Sequence, residues 1–97
     1  MKTNSYIYIL TNEYNKVLYV GVTSDLVKRI WEHKNKLREG FAKRYSLTKL
    51  IYYEVANDIE SAINREKQLK RWHREWKTNL IKDFNPKFDD LYDKICP

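Results

Sequence analysis

Two short β-forming runs lie so close together in this chain that they can be joined in only one way. Ser5-Tyr6-Ile7-Tyr8-Ile9-Leu10 and Val17-Leu18-Tyr19-Val20-Gly21-Val22 flank the polar stretch Thr11–Lys16. A parallel crossover needs about a dozen residues or more, so this linker makes an antiparallel hairpin. Its asparagines, Asn12 and Asn15, are turn formers. Strand side chains alternate, so Tyr6 and Tyr8 share one face of the first strand, and Tyr19 and Gly21 one face of the second. A register with Leu10 opposite Val17 sets Tyr8 opposite Tyr19, two phenols on one sheet surface. Taken alone, such a pair is an ordinary cross-strand stabiliser.

Thr23-Ser24-Asp25 then offers N-cap side chains. The spacing predicts a helix from Leu26 to Leu37, with Leu26, Ile30, His33 and Leu37 on one face. Gly40 suits the end of that helix or the loop after it. Lys49–Val55 reads as a third strand. Asn57 or Asp58 caps a second helix whose apolar positions are Ile59, Ala62, Ile63 and Leu69. A third helix carries Trp76, Leu80, Ile81 and Phe84, and stops before Asn85-Pro86 because the residue preceding proline disfavours helix. Phe88, Leu91, Tyr92 and Ile95 suit a short C-terminal turn or helix packed on the body. The order β-β-α-β-α-α predicts an α+β fold: a three-stranded, at least partly antiparallel sheet with helices packed against it.

Composition narrows the class. The 97 residues fit one domain, residues 1–97, with one modest core. A third of them are charged and 42% are hydrophobic, a globular balance. No apolar run is long enough to span a bilayer. The N-terminal Met1-Lys2-Thr3-Asn4-Ser5-Tyr6 lacks the apolar centre of a signal peptide, so a cytoplasmic protein is expected. The single cysteine, Cys96, excludes an internal disulfide and reads as a tail residue. A net charge of +6 favours polyanionic partners through counterion release. Eight tyrosines and three tryptophans add candidate stacking surfaces.

Three features sit awkwardly with a purely structural account. Arg29 and His33 are neighbours on the first helix and flank its apolar stripe. Structurally, they are a snorkelling arginine and a hydrogen-bonded histidine. Glu66 follows Ile59, Ala62 and Ile63 at helical spacing, so its carboxylate falls on an apolar face. There it needs a salt-bridge partner, with Arg29 a candidate, or a metal, or solvent in a cleft. Finally, Arg65–Lys77 carries Lys67, Lys70, Arg71, Arg74 and Lys77 interleaved with Trp72 and Trp76. It is either a solvated basic face or a phosphate-contacting surface with some stacking.

Together these residues resemble the GIY-YIG nuclease superfamily, in its small stand-alone bacterial branch. Tyr6-Ile7-Tyr8 followed by Tyr19-Val20-Gly21 is similar to the paired strand motifs, with Tyr6 standing where the family name has glycine. Gly21–Leu26 with Arg29 and His33 resembles the helix start and catalytic arginine. Glu66 in Asn64-Arg65-Glu66-Lys67-Gln68-Leu69-Lys70 looks like the metal-binding glutamate. Leu50–Glu54 and Asn85–Phe88 resemble segments of the stand-alone branch. The resemblance covers nearly the whole chain. It implies metal-dependent endonucleolytic hydrolysis of DNA phosphodiesters, branched or damaged DNA included, in repair or recombination; the oligomeric state stays open, with a monomer favoured. Tyr8 or Tyr19 would help activate water, with His33 able to share the base role. Arg29 would stabilise phosphate charge, and Glu66 would hold one Mg2+ or Mn2+. For the family's late phosphate-contacting residue, Asn79, Asn85 and Asp89 all remain open. The alternatives are a non-catalytic nucleic-acid-binding module on the same fold, or a protein-interaction module. Tyr8, Tyr19, Arg29 and Glu66 are expected to share one cleft.

Overall fold

A computed structural model describes residues 4–97; the polar start Met1–Thr3, read above as part of a leaderless N-terminus, lies outside them. The elements follow the expected order, the short C-terminal turn included, with one helical turn, α2, added. Strands β1 (Ser5–Thr11) and β2 (Leu18–Thr23) precede α1 (Leu26–Lys34) and the turn α2 (Phe41–Arg44). Strand β3 (Lys49–Ala56) precedes α3 (Ile59–Arg71), α4 (Arg74–Phe84) and the turn α5 (Tyr92–Ile95). The fold is α+β, with one three-stranded, fully antiparallel sheet in the order β2-β1-β3.

The hairpin register differs from the expected one. Leu10 pairs with Tyr19, so Tyr8 faces Gly21 rather than Tyr19. The turn supplies the reason. Asn12 Oδ1 accepts from the Lys16 and Val17 amides at 2.7 and 3.4 Å, Asn15 takes a left-handed φ of 59°, and Thr11 Oγ1 donates to the Val17 carbonyl at 2.8 Å. These bonds commit Val17 to the loop, and pairing begins one residue later, Thr11 with Leu18. A shift of two residues preserves the faces, so the phenols still share a surface, diagonally, with ring centroids 6.3 Å apart.

Between β1 and β3 a register shift leaves Ile51 as the extra residue, with Ile9 opposite Tyr52 and Leu10 opposite Leu50. A bulge of this kind breaks the alternation. It turns the consecutive residues Ile51 and Tyr52 to one face, where they join Ile7, Ile9 and Val20 under Ala62 and Leu69 of α3 and Ile81 of α4. The other face carries Tyr8, Leu10 and Leu50 under Leu26 and Ile30 of α1, with Ala42, Leu47 and Leu91 completing the layer. Both faces of the central strand are therefore covered.

Helix α1 starts at the expected cap, Asp25, whose side chain accepts from the Lys28 amide at 3.2 Å. It ends at Lys34, short of Leu37: Lys36 turns left-handed at φ 55°, and Leu37 points to solvent. Asp58, rather than Asn57, caps α3 through the Ser61 amide at 2.7 Å. Past α4, the buried Asn85 side chain donates to the Ile51 and Asp89 carbonyls at 3.1 and 2.8 Å. Leu91 N–H donates to the Leu50 carbonyl at 2.7 Å, and Asp90 Oδ1 accepts from the Leu50 amide at 3.2 Å. The tail is thus bonded along the start of β3, and Asp90 also pairs with Lys34 of α1.

Candidate active site

Tyr8, on the central strand, is fully buried beneath α1. Its ring lies directly over Gly21, where an added Cβ would stand 2.4 Å from Tyr8 Cζ. Only a glycine leaves room for the phenol. Arg29 and His33, one helical turn apart on α1, both reach the Tyr8 hydroxyl. Arg29 Nη1 donates to it at 3.4 Å and to the Val22 carbonyl at 3.0 Å. The hydroxyl lies 3.0 Å from His33 Nε2. One arrangement satisfies all three groups: the phenol oxygen accepts from Arg29 and its proton goes to Nε2 of a neutral His33 protonated at Nδ1.

The electrostatics agree with that assignment. Burial, reinforced by the Arg29 and Arg38 guanidinium groups, pushes His33 down to about 4 against the weaker opposite pull of Glu32. Burial also pushes the Tyr8 phenol up to about 12; the Arg29 bond pulls it down but does not prevail. Both movements run against the water-activating role expected of Tyr8 and the base role expected of His33. Low dielectric penalises the charged form of each group; Glu32 offsets this only in part for His33, and Arg29 only in part for Tyr8.

A stability prediction follows from His33. The unfolded imidazole keeps its ordinary 6.5, and the folded one does not take up a proton until about 4. The folded pKa is depressed, so this contribution is intact above pH 6.5 and is lost as pH falls toward 4. The loss should be on the order of 3 kcal/mol. Urea unfolding at pH 7 and pH 4.5 should show it, and His33→Gln should flatten the dependence. Equal slopes for the two proteins would contradict it.

Tyr19 is the accessible phenol of the group. Its ring is half-buried, 6.1 Å from the His33 ring and 6.2 Å from that of Phe41. The Arg29 side chain is 24% exposed, and its protein contacts use Nη1 and Nε, the latter 3.7 Å from Glu32. Nη2 has no bond to the described residues, so a pinned guanidinium presents one free edge. Arg29 lines a cleft of about 200 Å³ together with Thr23, Asp25, Lys28, Glu32 and Arg38 among others.

Glu66 belongs to another layer. It lies between the buried Ala62 and Leu69 on α3, on the sheet face opposite α1, with its side chain 18% exposed. The expected position on an apolar stripe is right, but its ion-pair partner is Lys70 at 3.6 Å, not Arg29. Strand β2 is the outer strand beside α3, and across it Lys70 Nζ also lies 6.0 Å from the Tyr19 ring centroid. Tyr8, Tyr19, Arg29 and His33 are thus one contiguous group, and Glu66 is linked to it through Lys70; the cleft that Arg29 lines takes in none of Tyr8, Tyr19 and Glu66, so the single cleft expected for the four is not what the fold forms, because α1 and α3 cover opposite faces of the sheet.

Among the described residues, no three His, Cys, Asp or Glu side chains cluster as a metal cage. A divalent ion here would take one protein carboxylate and otherwise water and phosphate oxygens. That donor set suits Mg2+, which keeps several waters and uses one or two carboxylates with substrate phosphate. Glu66 fits it, being partly exposed and, among the described residues, ion-paired only with an i,i+4 lysine.

The basic stretch divides in two. Arg65 is turned inward, donating to Glu54 at 3.0 Å through both Nε and Nη2 and stacking over Trp72 at 5.2 Å. Burial raises the Glu54 carboxyl, but the bonds from Arg65 and Tyr52 overcome it and hold Glu54 below the usual carboxylate range. Arg74 ties α4 to the hairpin turn through the Asn15 carbonyl at 3.0 Å. Lys67, Lys70 and Arg71 are exposed, and Lys77 is half-buried. Of the late polar candidates, Asn85 is occupied structurally, as described above. Sequence reasoning also passed over Phe41 and Tyr45, exposed aromatics beside Tyr19; their i,i+4 spacing in Phe41-Ala42-Lys43-Arg44-Tyr45 was the available signal.

A sheet that buries one tyrosine over a glycine and hands its hydroxyl to an arginine and a histidine is a specific construction, and it falls within a known match. The GIY-YIG catalytic domain matches residues 4–79, and the chain belongs to that family, which is one of nucleases typically using divalent metal. Within it, the chain is 34% identical over 85 residues to a UPF0213 protein of Syntrophus aciditrophicus, covering 87% of this chain and 95% of that protein. It is 32% identical over 90 residues to a UPF0213 protein of Clostridium perfringens, covering 93% and 95%. The solution NMR structure of a UPF0213 protein from Bacillus halodurans shares the fold, with a TM-score of 0.56 at 22% identity over 97% of this chain and 99% of that one. No helix among the described residues is long and apolar enough to cross a membrane.

Proposed function

We propose that this protein is a divalent-metal-dependent endonuclease that hydrolyses DNA phosphodiester bonds, a chemistry suited to DNA repair or recombination. The observation that carries the reading is Arg29. Its guanidinium is held through Nη1 by the Tyr8 hydroxyl and the Val22 carbonyl, and the side chain lines an open cleft. A donor fixed in advance toward the site of developing phosphate charge needs no reorganisation during reaction. In hydrolysis, water oxygen bonds to phosphorus, the bond to the leaving oxygen breaks, and that oxygen gains a proton. Tyr19 is assigned to orient the attacking water because it is the accessible phenol. Tyr8, buried and hydrogen-bonded, is a positioning residue for Arg29 and His33. Glu66 would hold the ion, which when bound supplies Lewis-acid stabilisation of the phosphate.

The test is cleavage of labelled single-stranded, duplex and branched DNA by the full chain with Mg2+ or Mn2+, and with chelator. Metal-dependent cuts at internal positions are expected. Intact DNA in every metal, with binding retained, would instead make the protein a non-catalytic nucleic-acid-binding module.

The cation geometry sharpens the binding expectation. Lys67, Lys70, Arg71 and Lys77 are assigned to phosphates, with Arg74 contributing only through what its bond to Asn15 leaves free. Replacing Lys67 or Arg71 with glutamine should reduce the slope of log affinity against log salt by about one each. Arg65→Gln should lower the melting temperature instead, by breaking the pair with Glu54. Salt-independent binding would contradict this assignment.

A further inference from the structure

The loop between α1 and β3 holds an unusual surface. Helical turn α2 is anchored from below by the buried Ala42 and Leu47, which join the layer beneath α1. Its two aromatics, Phe41 and Tyr45, project outward at i,i+4 and are 48% and 43% exposed. They are not isolated. The Phe41 ring lies 4.7 Å from that of Tyr45 and, at an interplanar angle of 21°, 6.2 Å from that of Tyr19. Three neighbouring rings therefore run from the candidate active site outward across α2. Cations bracket the run: Arg44 lies 5.6 Å from the Tyr45 centroid and Lys70 6.0 Å from that of Tyr19.

Single exposed aromatics need no explanation, but a contiguous run beside a cleft does. We propose that Tyr19, Phe41 and Tyr45 form a stacking track for the unpaired bases of a single DNA strand as it enters the Arg29 site. In a duplex the base faces are stacked on one another and only edges and phosphates are offered. Exposed rings have no use for those groups. Unpaired bases offer their faces, and the flanking cations match the phosphates between them. This surface, rather than Trp72, is the stacking platform. Trp72 is half-buried against the core and under Arg65. The proposal rests on the nuclease reading and narrows it: the substrate carries a single-stranded stretch, such as an overhang, gap or flap.

The test uses the full chain and the variant Phe41→Leu/Tyr45→Leu, which keeps apolar bulk and removes the π-faces. Binding is measured in chelator by fluorescence anisotropy. The probes are a labelled single strand of about 15 nucleotides, the same strand with abasic sites, and a blunt duplex. The expected result is an affinity loss of about a hundredfold for the single strand, with less than a threefold change for the duplex. Wild-type protein should lose a similar factor on the abasic strand. Equal losses on both probe types, or none, would overturn the track. So would a change in oligomeric state of the variant by sedimentation, which would make the rings a contact between copies of this chain. Cleavage of the same probes with Mg2+ separates the two readings. Ring-dependent binding without any cleavage supports the track and removes the nuclease reading. Cleavage with ring-independent binding does the reverse.

Discussion

Gly21→Ala should cost this protein much of its stability, although the change adds a single methyl group. The new Cβ would stand 2.4 Å from Cζ, 2.5 Å from the hydroxyl oxygen and 2.9 Å from Cε2 of Tyr8. Backbone conformation is not the obstacle, since Gly21 is not among the residues with positive φ. The obstacle is a buried ring that cannot swing aside without breaking its bonds to His33 and Arg29. Overpacking a core typically costs 1–3 kcal/mol, and this contact belongs at the upper end, about 3 kcal/mol. For a chain of this size that corresponds to a fall in melting temperature of roughly 15 °C. Adding Tyr8→Val to Gly21→Ala should recover part of the loss, because the clash goes with the ring. The double variant should therefore be more stable than the summed single effects. Strict additivity, or a fall below about 1 kcal/mol for Gly21→Ala, would show that the ring yields easily.

The second large effect concerns Glu66 and separates chemistry from structure. Its only ion-pair partner among the described residues is an exposed lysine one turn along the same helix, and exposed i,i+4 pairs stabilise by about 0.3–0.5 kcal/mol. Glu66→Gln should therefore leave the metal-free melting temperature within a few degrees of wild type. DNA affinity in chelator should hold or rise, because a negative charge near the phosphates has gone. Cleavage with Mg2+ should fall by about a thousandfold or more, since an amide is a far weaker ligand for a hard cation. A clear drop in melting temperature with unchanged cleavage would reject Glu66 as the metal ligand. The nucleic-acid-binding part of the reading would survive that result.

What the sequence disclosed, and what it hid, follows from the range over which each signal acts. The hairpin, the caps at Asp25 and Asp58 and the stop before Asn85-Pro86 are written in local residues and were legible. So was the shared face of Tyr8 and Tyr19, because strand alternation tolerates a slip of two residues. Their pairing was not legible, because the side-chain bonds of Asn12 decide where the ladder begins. Turn α2, at four residues, is too short to show a helical period, and its aromatics were missed with it. The pKa values of Tyr8 and His33 were the least accessible. Composition identifies the groups, but burial under α1 sets the direction of both shifts. The partner of Glu66 was one turn away in sequence, while the expectation looked across the fold to Arg29.

The tail bonded along β3 has a consequence for how copies of this chain meet in solution. An unpaired strand edge is a template for another strand, and proteins that leave one open risk assembling end to end. Here the amide and carbonyl of Leu50 and the carbonyl of Ile51 are claimed by Asp90, Leu91 and Asn85, so a second molecule finds nothing to pair with there. The plug carries a charge as well, and Asp90 spends its other oxygen on Lys34, at the end of the helix that bears Arg29 and His33. One aspartate thus closes the start of the β3 edge and tethers the helix that bears Arg29 and His33, so that damage to either duty would be felt in both.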